Sequence, residues 1–229
     1  ISENIYVASF FEVCQEQLCK FDPDNEQKYN DETIVLNEHV DEIYREFYRC
    51  YLNNYDASCL KPIHNLLISN SIDAETYLRD EFDWIRSGLA ITERDKNLQV
   101  QRTGRFYPIR NELRQSILNG LSAWETKMDA VGVSDYLALT NALTGYLHKL
   151  SPVYDFCIVD EAQDFGTTEL QIIRGLTRNG ENDIFLCGDV TQHILAKQQN
   201  IKDAGIMING RSRLLDQNYR NSREILRCA

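Results

Sequence analysis

The residues best suited to chemistry lie at Val159-Asp160-Glu161-Ala162-Gln163-Asp164, where three carboxylates and an amide follow directly on an apolar run. Two adjacent acids there suit a nucleotide site. The first can hold a magnesium ion, directly or through water, and the second can orient and deprotonate an attacking water. The plainer reading is a solvated turn whose acids favour the N-terminus of a following helix. Further on, Gly188-Asp189-Val190-Thr191-Gln192 sets another acid after a second apolar run, with an amide able to reach a terminal phosphate. Later still, Tyr219-Arg220 places a ring beside a guanidinium, suited to stacking on a base and pairing with a phosphate.

The elements that must position these groups follow from hydrophobic spacing. Tyr154-Asp155-Phe156-Cys157-Ile158-Val159 and Asp183-Ile184-Phe185-Leu186-Cys187 read as buried strands covered on both faces, and Leu170, Ile173 and Leu176 mark a helix between them. Strand, helix, strand is a βαβ unit with parallel strands, and its ligands sit at the C-terminal strand ends, where Asp160, Glu161 and Asp189 fall. Residues 4–9 read as a further strand, followed by a helix through Phe10, Val13, Cys14 and Leu18. Residues 20–33 are an acidic, turn-rich loop. Helical spacing dominates 34–95, 108–128 and 134–149.

In this order and spacing the three motifs resemble motifs II, III and IV of the UvrD/Rep-type superfamily 1A DNA helicases, most strongly over residues 134–229. Val7-Ala8-Ser9-Phe10-Phe11 is similar to the family's Thr-Phe-His element. Tyr77–Phe82 and Gln101–Arg105 are similar to its helical insertion. The resemblance implies an α/β fold: a parallel-sheet P-loop NTPase (RecA-like) motor half, 1–19 and 134–229, with a large, mostly helical inserted subdomain, 20–133. It implies ATP and Mg2+ as cofactors. Asp160 would coordinate Mg2+, and Glu161 would be the base for hydrolysis. Gln192 would sense the γ-phosphate, Tyr219 would stack on adenine, and Arg220 would stabilise transferring charge. Asp189 and Gln163 would lie beside the nucleotide, with Gln163 and Asp164 bracing the site. Ser9, Phe10 and Phe11 would touch single-stranded DNA.

The sequence departs from that family in two places. None of the 11 glycines is followed by Lys, so there is no Gly-Lys-Ser/Thr phosphate cradle. After Gln192, the stretch His193–Gln199 lacks the aromatic residue that stacks on a base, a contact worth about 1–3 kcal/mol. Both ends read as cuts. The expected protein is the central fragment of an ATP-dependent helicase or translocase, inactive alone, whose partners are ATP, single-stranded DNA and the remaining helicase domains. The alternative is a non-catalytic DNA-binding or protein-docking module of helicase ancestry.

Composition narrows the remaining possibilities. The 229 residues carry a net charge of −11, with four basic and twelve acidic residues in the first fifty. Such a chain is a poor general nucleic-acid binder, so any contact must be local. Basic residues prevail only over 101–114, where Arg102 and Arg105 lie near Phe106 and Tyr107. These arginines suit a single-strand groove, or equally a face paired with the acidic first hundred residues. The seven cysteines have no CxxC spacing, and the four histidines share no ligand spacing with them. Reduced thiols in a cytoplasmic protein are expected, with no metal beyond nucleotide-bound magnesium. No run of 18 apolar residues exists to cross a membrane, and no signal peptide is visible.

Overall fold

A computed structural model describes residues 5–29, 37–53, 59–99, 102, 105, 107–189 and 196–215. Its α-helices are α1 (Phe10–Phe21), α2 (Asn37–Asn53), α3 (Lys61–Ser69), α4 (Ala74–Gly88), α5 (Asn111–Val131), α6 (Tyr136–Thr144) and α7 (Thr167–Leu176). Strands β1 (Cys157–Val159) and β2 (Ile184–Leu186) flank α7 in the chain. Short 3-10 turns cover Pro23–Tyr29, Ile91–Leu98, Leu147–Lys149 and Ala162–Asp164.

Local chemistry sets the helix ends. Ser9 and Glu12 form a reciprocal capping box at α1, the Ser9 Oγ accepting from the Glu12 N–H and the Glu12 carboxylate from the Ser9 N–H. At α4 and α6 the cap is one-way, the Asp73 carboxylate accepting from the Glu75 N–H and the Asp135 carboxylate from the Ala138 N–H. Gly132 closes α5 in the left-handed conformation, φ +76°, which a residue with a Cβ resists.

Three apolar clusters hold these elements. The first packs Tyr44, Phe47, Phe82, Trp84, Leu121 and Trp124 between α2, α3, α4 and α5. The second joins α1, α6 and α7 through Cys14, Leu18, Leu139, Leu143, Ile172 and Leu176. The third lies under the sheet, where Val159, Leu170 and Ile173 meet Ala204 and Ile206. Between the first and second, Arg86 on α4 donates two hydrogen bonds to Asp135 at the start of α6, both side chains buried. Such a bidentate pair fixes orientation as well as proximity.

The strands are parallel, as expected, with Cys157 opposite Ile184, Ile158 opposite Phe185 and Val159 opposite Leu186. The expected α/β architecture is overturned. The described chain is mostly helical and its sheet has two strands, so this is not a RecA-like P-loop motor half built on a parallel sheet. Two physical reasons account for the difference. Residues 5–9 have the right composition for a strand but form no strand pairing among the described residues. Val7 is 76% exposed, and Ser9 is committed to capping α1. The apolar runs around β1 and β2 are also covered on one face only. Ile158 and Phe185, opposite one another, are 66% and 56% exposed, while Val159 is buried.

Candidate functional site

Beyond β1 the chain turns sharply at Asp160-Glu161. Glu161 adopts a left-handed backbone, φ +50° and ψ +41°, which costs a residue with a Cβ about 1–2 kcal/mol. The neighbouring strand compensates: the Ala162 N–H donates to the Cys187 carbonyl at 2.8 Å, and the Cys187 N–H to the Val159 carbonyl at 3.0 Å. Asp160 and Asp189 thus both leave the C-terminal ends of adjacent parallel strands, and both are exposed.

Gln163 ties the two strand ends together. Its amide nitrogen donates to Glu161 Oε2 at 2.6 Å, and its amide oxygen accepts from the Asp189 N–H at 3.0 Å. The side chain is buried, so both ends of the amide are held. Asp160 Oδ1 accepts from the Glu161 N–H at 2.9 Å and from the Cys187 thiol at 3.2 Å. That hydrogen bond, with slight burial and the charges of Asp160 and Glu161, raises the pKa of Cys187 and keeps the thiol a donor. The second oxygens of Asp160 and Glu161 take no hydrogen bond from the described residues. From behind, Gln199 donates to the Ala162 and Phe165 carbonyls at 2.6 and 2.8 Å. Lys197 donates to the Asp164 carbonyl at 2.7 Å and to Glu169 at 2.8 Å. Lys197 and Gln199, both in the stretch that departs from the helicase pattern, therefore buttress the turn.

Among the described residues no group of three or more His, Cys, Asp or Glu could hold a metal ion. Magnesium differs from such cage-bound ions, because it commonly takes one or two carboxylates and completes its shell with water and phosphate oxygens. Asp160, exposed and with one oxygen uncommitted, fits that role.

The other expected contacts fall elsewhere. Ser9 spends its hydroxyl on the α1 cap. Phe10 lies edge-on to Phe165 at 5.2 Å, and Phe11 stacks on Tyr136 at 4.0 Å. All three line a cavity of about 670 Å³ to which the described residues contribute seven carboxylates and three basic side chains. Arg102 and Arg105 both donate to Glu81, which is wholly buried. Arg102 also reaches the Tyr107 carbonyl at 2.9 Å, and the Arg105 guanidinium lies 4.4 Å from the Tyr77 ring centre. That geometry matches the internally paired face rather than a groove open to a strand. Gln192, Tyr219 and Arg220 lie outside the described residues.

Comparison with family models, with curated proteins and with solved structures returns no match to this chain. The functional reading therefore rests on its own residues. Sequence reasoning missed Cys187 as a partner of Asp160 and Gln199 as the clamp behind the turn. Neither has a local signal, because each partner lies 27 or more residues away in the chain. No helix among the described residues is long and apolar enough to cross a membrane.

Proposed function

We propose that this chain supplies the magnesium-organising and water-activating carboxylates of an ATP-dependent DNA helicase or translocase, acting with further helicase domains. The observation that carries the reading is the Gln163 clamp, which orders Glu161 and the Asp189 backbone at the C-terminal ends of two parallel strands. Ligands bind at such ends in parallel α/β units. Glu161 in a left-handed backbone supports it, because strain of this kind collects at functional positions. Bound magnesium would neutralise developing phosphate charge. This chain's part is to present Asp160 to the ion and to hold Glu161, through Gln163, where one carboxylate oxygen is left to accept a proton from water.

A second reading, a protein-docking module without catalysis, has its own support. Arg102 and Arg105 are paired internally, and Ile158 and Phe185 form an open apolar face. Steady-state hydrolysis by the protein in its full helicase context separates the two. Glu161→Gln keeps the shape and removes the basicity, so kcat should fall about 10²–10⁴-fold with little change in KM. A substituted protein with near-normal kcat would remove Glu161 from the role, and absence of Mg2+-dependent ATP binding by the unsubstituted protein would favour the docking module.

A further inference from the structure

The Cys187 thiol stands where it can decide which oxygen Asp160 offers to an ion. The backbone of Cys187 is held on both sides of the turn. Its N–H donates to the Val159 carbonyl at 3.0 Å, and its carbonyl accepts from the Ala162 N–H at 2.8 Å. These two bonds bracket Asp160 and Glu161, so the Cys187 side chain is fixed in register with them. The thiol is free and partly buried. It has one proton and two acceptors in reach, Asp160 Oδ1 at 3.2 Å and the Val159 carbonyl at 3.4 Å. The carboxylate is nearer and charged, while the carbonyl already accepts from the Cys187 N–H. Hydrogen bonds to an ionised acceptor are the stronger kind, so the proton goes to Asp160.

Asp160 Oδ1 therefore receives two donors, this thiol and the Glu161 N–H at 2.9 Å. The Glu161 N–H belongs to the next residue and moves with the turn. The thiol comes from the end of the neighbouring strand and ties the carboxylate to a second element. With Oδ1 committed twice, Oδ2 takes no hydrogen bond from the described residues. Partners of this kind orient metal-binding carboxylates, and losing one commonly costs about 10–100-fold in metal affinity. We propose, on the reading that Asp160 holds magnesium, that Cys187 is a positioning residue whose thiol pins Oδ1 and leaves Oδ2 as the oxygen offered to the ion.

Two readouts test it, one of them independent of turnover. In the infrared spectrum of the full chain without metal, the S–H stretching band of Cys187 is the band that Cys187→Ala removes. A thiol donating to a carboxylate absorbs at lowered frequency, so Asp160→Asn should move this band upward. The second readout is the MgCl2 concentration at half-maximal ATP hydrolysis by the protein in its full helicase context. Cys187→Ala should raise it about tenfold, and Cys187→Ser, whose hydroxyl can still donate to Oδ1, should recover most of that loss. Urea midpoints identify the folded variants, and if Cys187→Ala does not fold, the Asp160→Asn band and the Cys187→Ser titration still decide. An S–H band unmoved by Asp160→Asn, or an unchanged MgCl2 requirement in folded Cys187→Ala, would overturn the positioning role and leave the magnesium reading standing. Absence of magnesium-dependent hydrolysis by the unsubstituted protein would overturn both.

Discussion

Gln163 and Gly188 approach so closely that a Cβ on Gly188 would stand 2.2 Å from the Gln163 amide oxygen. It would also lie 3.0 Å from the Ala162 nitrogen, a backbone atom with little freedom to give. The glycine therefore allows the amide to reach the Asp189 N–H and close the two strand ends into one turn. Gly188→Ala should displace that amide and cost about 1–3 kcal/mol. Gln163→Ala alone should cost about 1 kcal/mol in lost hydrogen bonds. In the double variant the clash with the amide oxygen is gone and only the tight contacts with the Ala162 and Gln163 nitrogens remain, so the combined loss should be less than the sum of the two separate losses. A urea-denaturation cycle measures this, and strictly additive losses would show that the two side chains do not meet.

Arg102 and Arg105 converge on one buried carboxylate, and that decides what their removal does. With either arginine gone, Glu81 keeps one partner, and a loss of about 2 kcal/mol is expected. With both gone, a wholly buried carboxylate is left without a counter-charge, and the loss should reach about 3–5 kcal/mol. Chemical denaturation checks the stability, and a salt titration with single-stranded DNA checks the rival role. Unchanged stability with a flattened salt slope would return both arginines to a DNA groove.

How much of this was legible in the sequence depended on the range of the interaction. The helices were readable because their signals repeat every three or four residues, and Leu170, Ile173 and Leu176 do face apolar clusters. The parallel pairing of β1 and β2 was readable from a helix between two apolar runs. The extent of the sheet was not. An apolar run such as Phe156–Val159 has the same composition whether one face is covered or two, and residues 5–9 lost to the capping demand of Ser9. At the site, Asp160 and Glu161 stood out because they follow a strand directly. Gln163 reaching Asp189, 26 residues away, and Arg102 reaching Glu81, 21 residues away, have no local mark.

Two aspartates with opposite environments should give stability a two-sided dependence on pH. Burial raises the pKa of Asp80, with Arg105 and Arg79 only partly offsetting it. A raised folded-state pKa adds stability that is fully present below the unfolded value, near 4, and is lost as pH rises through the folded value. Burial also acts on Asp135, but the Arg86 guanidinium and its hydrogen bonds outweigh it and hold the carboxyl below its usual range. That contribution is present above pH 4 and is lost as pH falls through the depressed value. Unfolding free energies measured from pH 7 down to 2 should therefore rise from Asp80 before they fall from Asp135. Asp80→Asn should flatten the rise and leave the acid limb in place, whereas an unaltered rise would show that Asp80 is not the group responsible.

The open face of the sheet gives the last expectation. Ile158 and Phe185 are cross-strand neighbours that present most of their surface to water, so their mutual contact accounts for about 0.2–1 kcal/mol. Beneath them Leu170 is fully buried against Val159 and Ile173. Truncating it to Ala removes packed atoms from a filled core and should cost about 2–5 kcal/mol. Ile158→Lys and Phe185→Lys, by contrast, place a charge where water already is, so each should cost no more than about 1 kcal/mol. Urea midpoints of the three variants, at equal protein concentration, test the asymmetry between the two faces. If Ile158→Lys destabilised the chain as much as Leu170→Ala, the outer face would be covered in solution, and β1 and β2 would belong to a deeper layer than two strands over one helix.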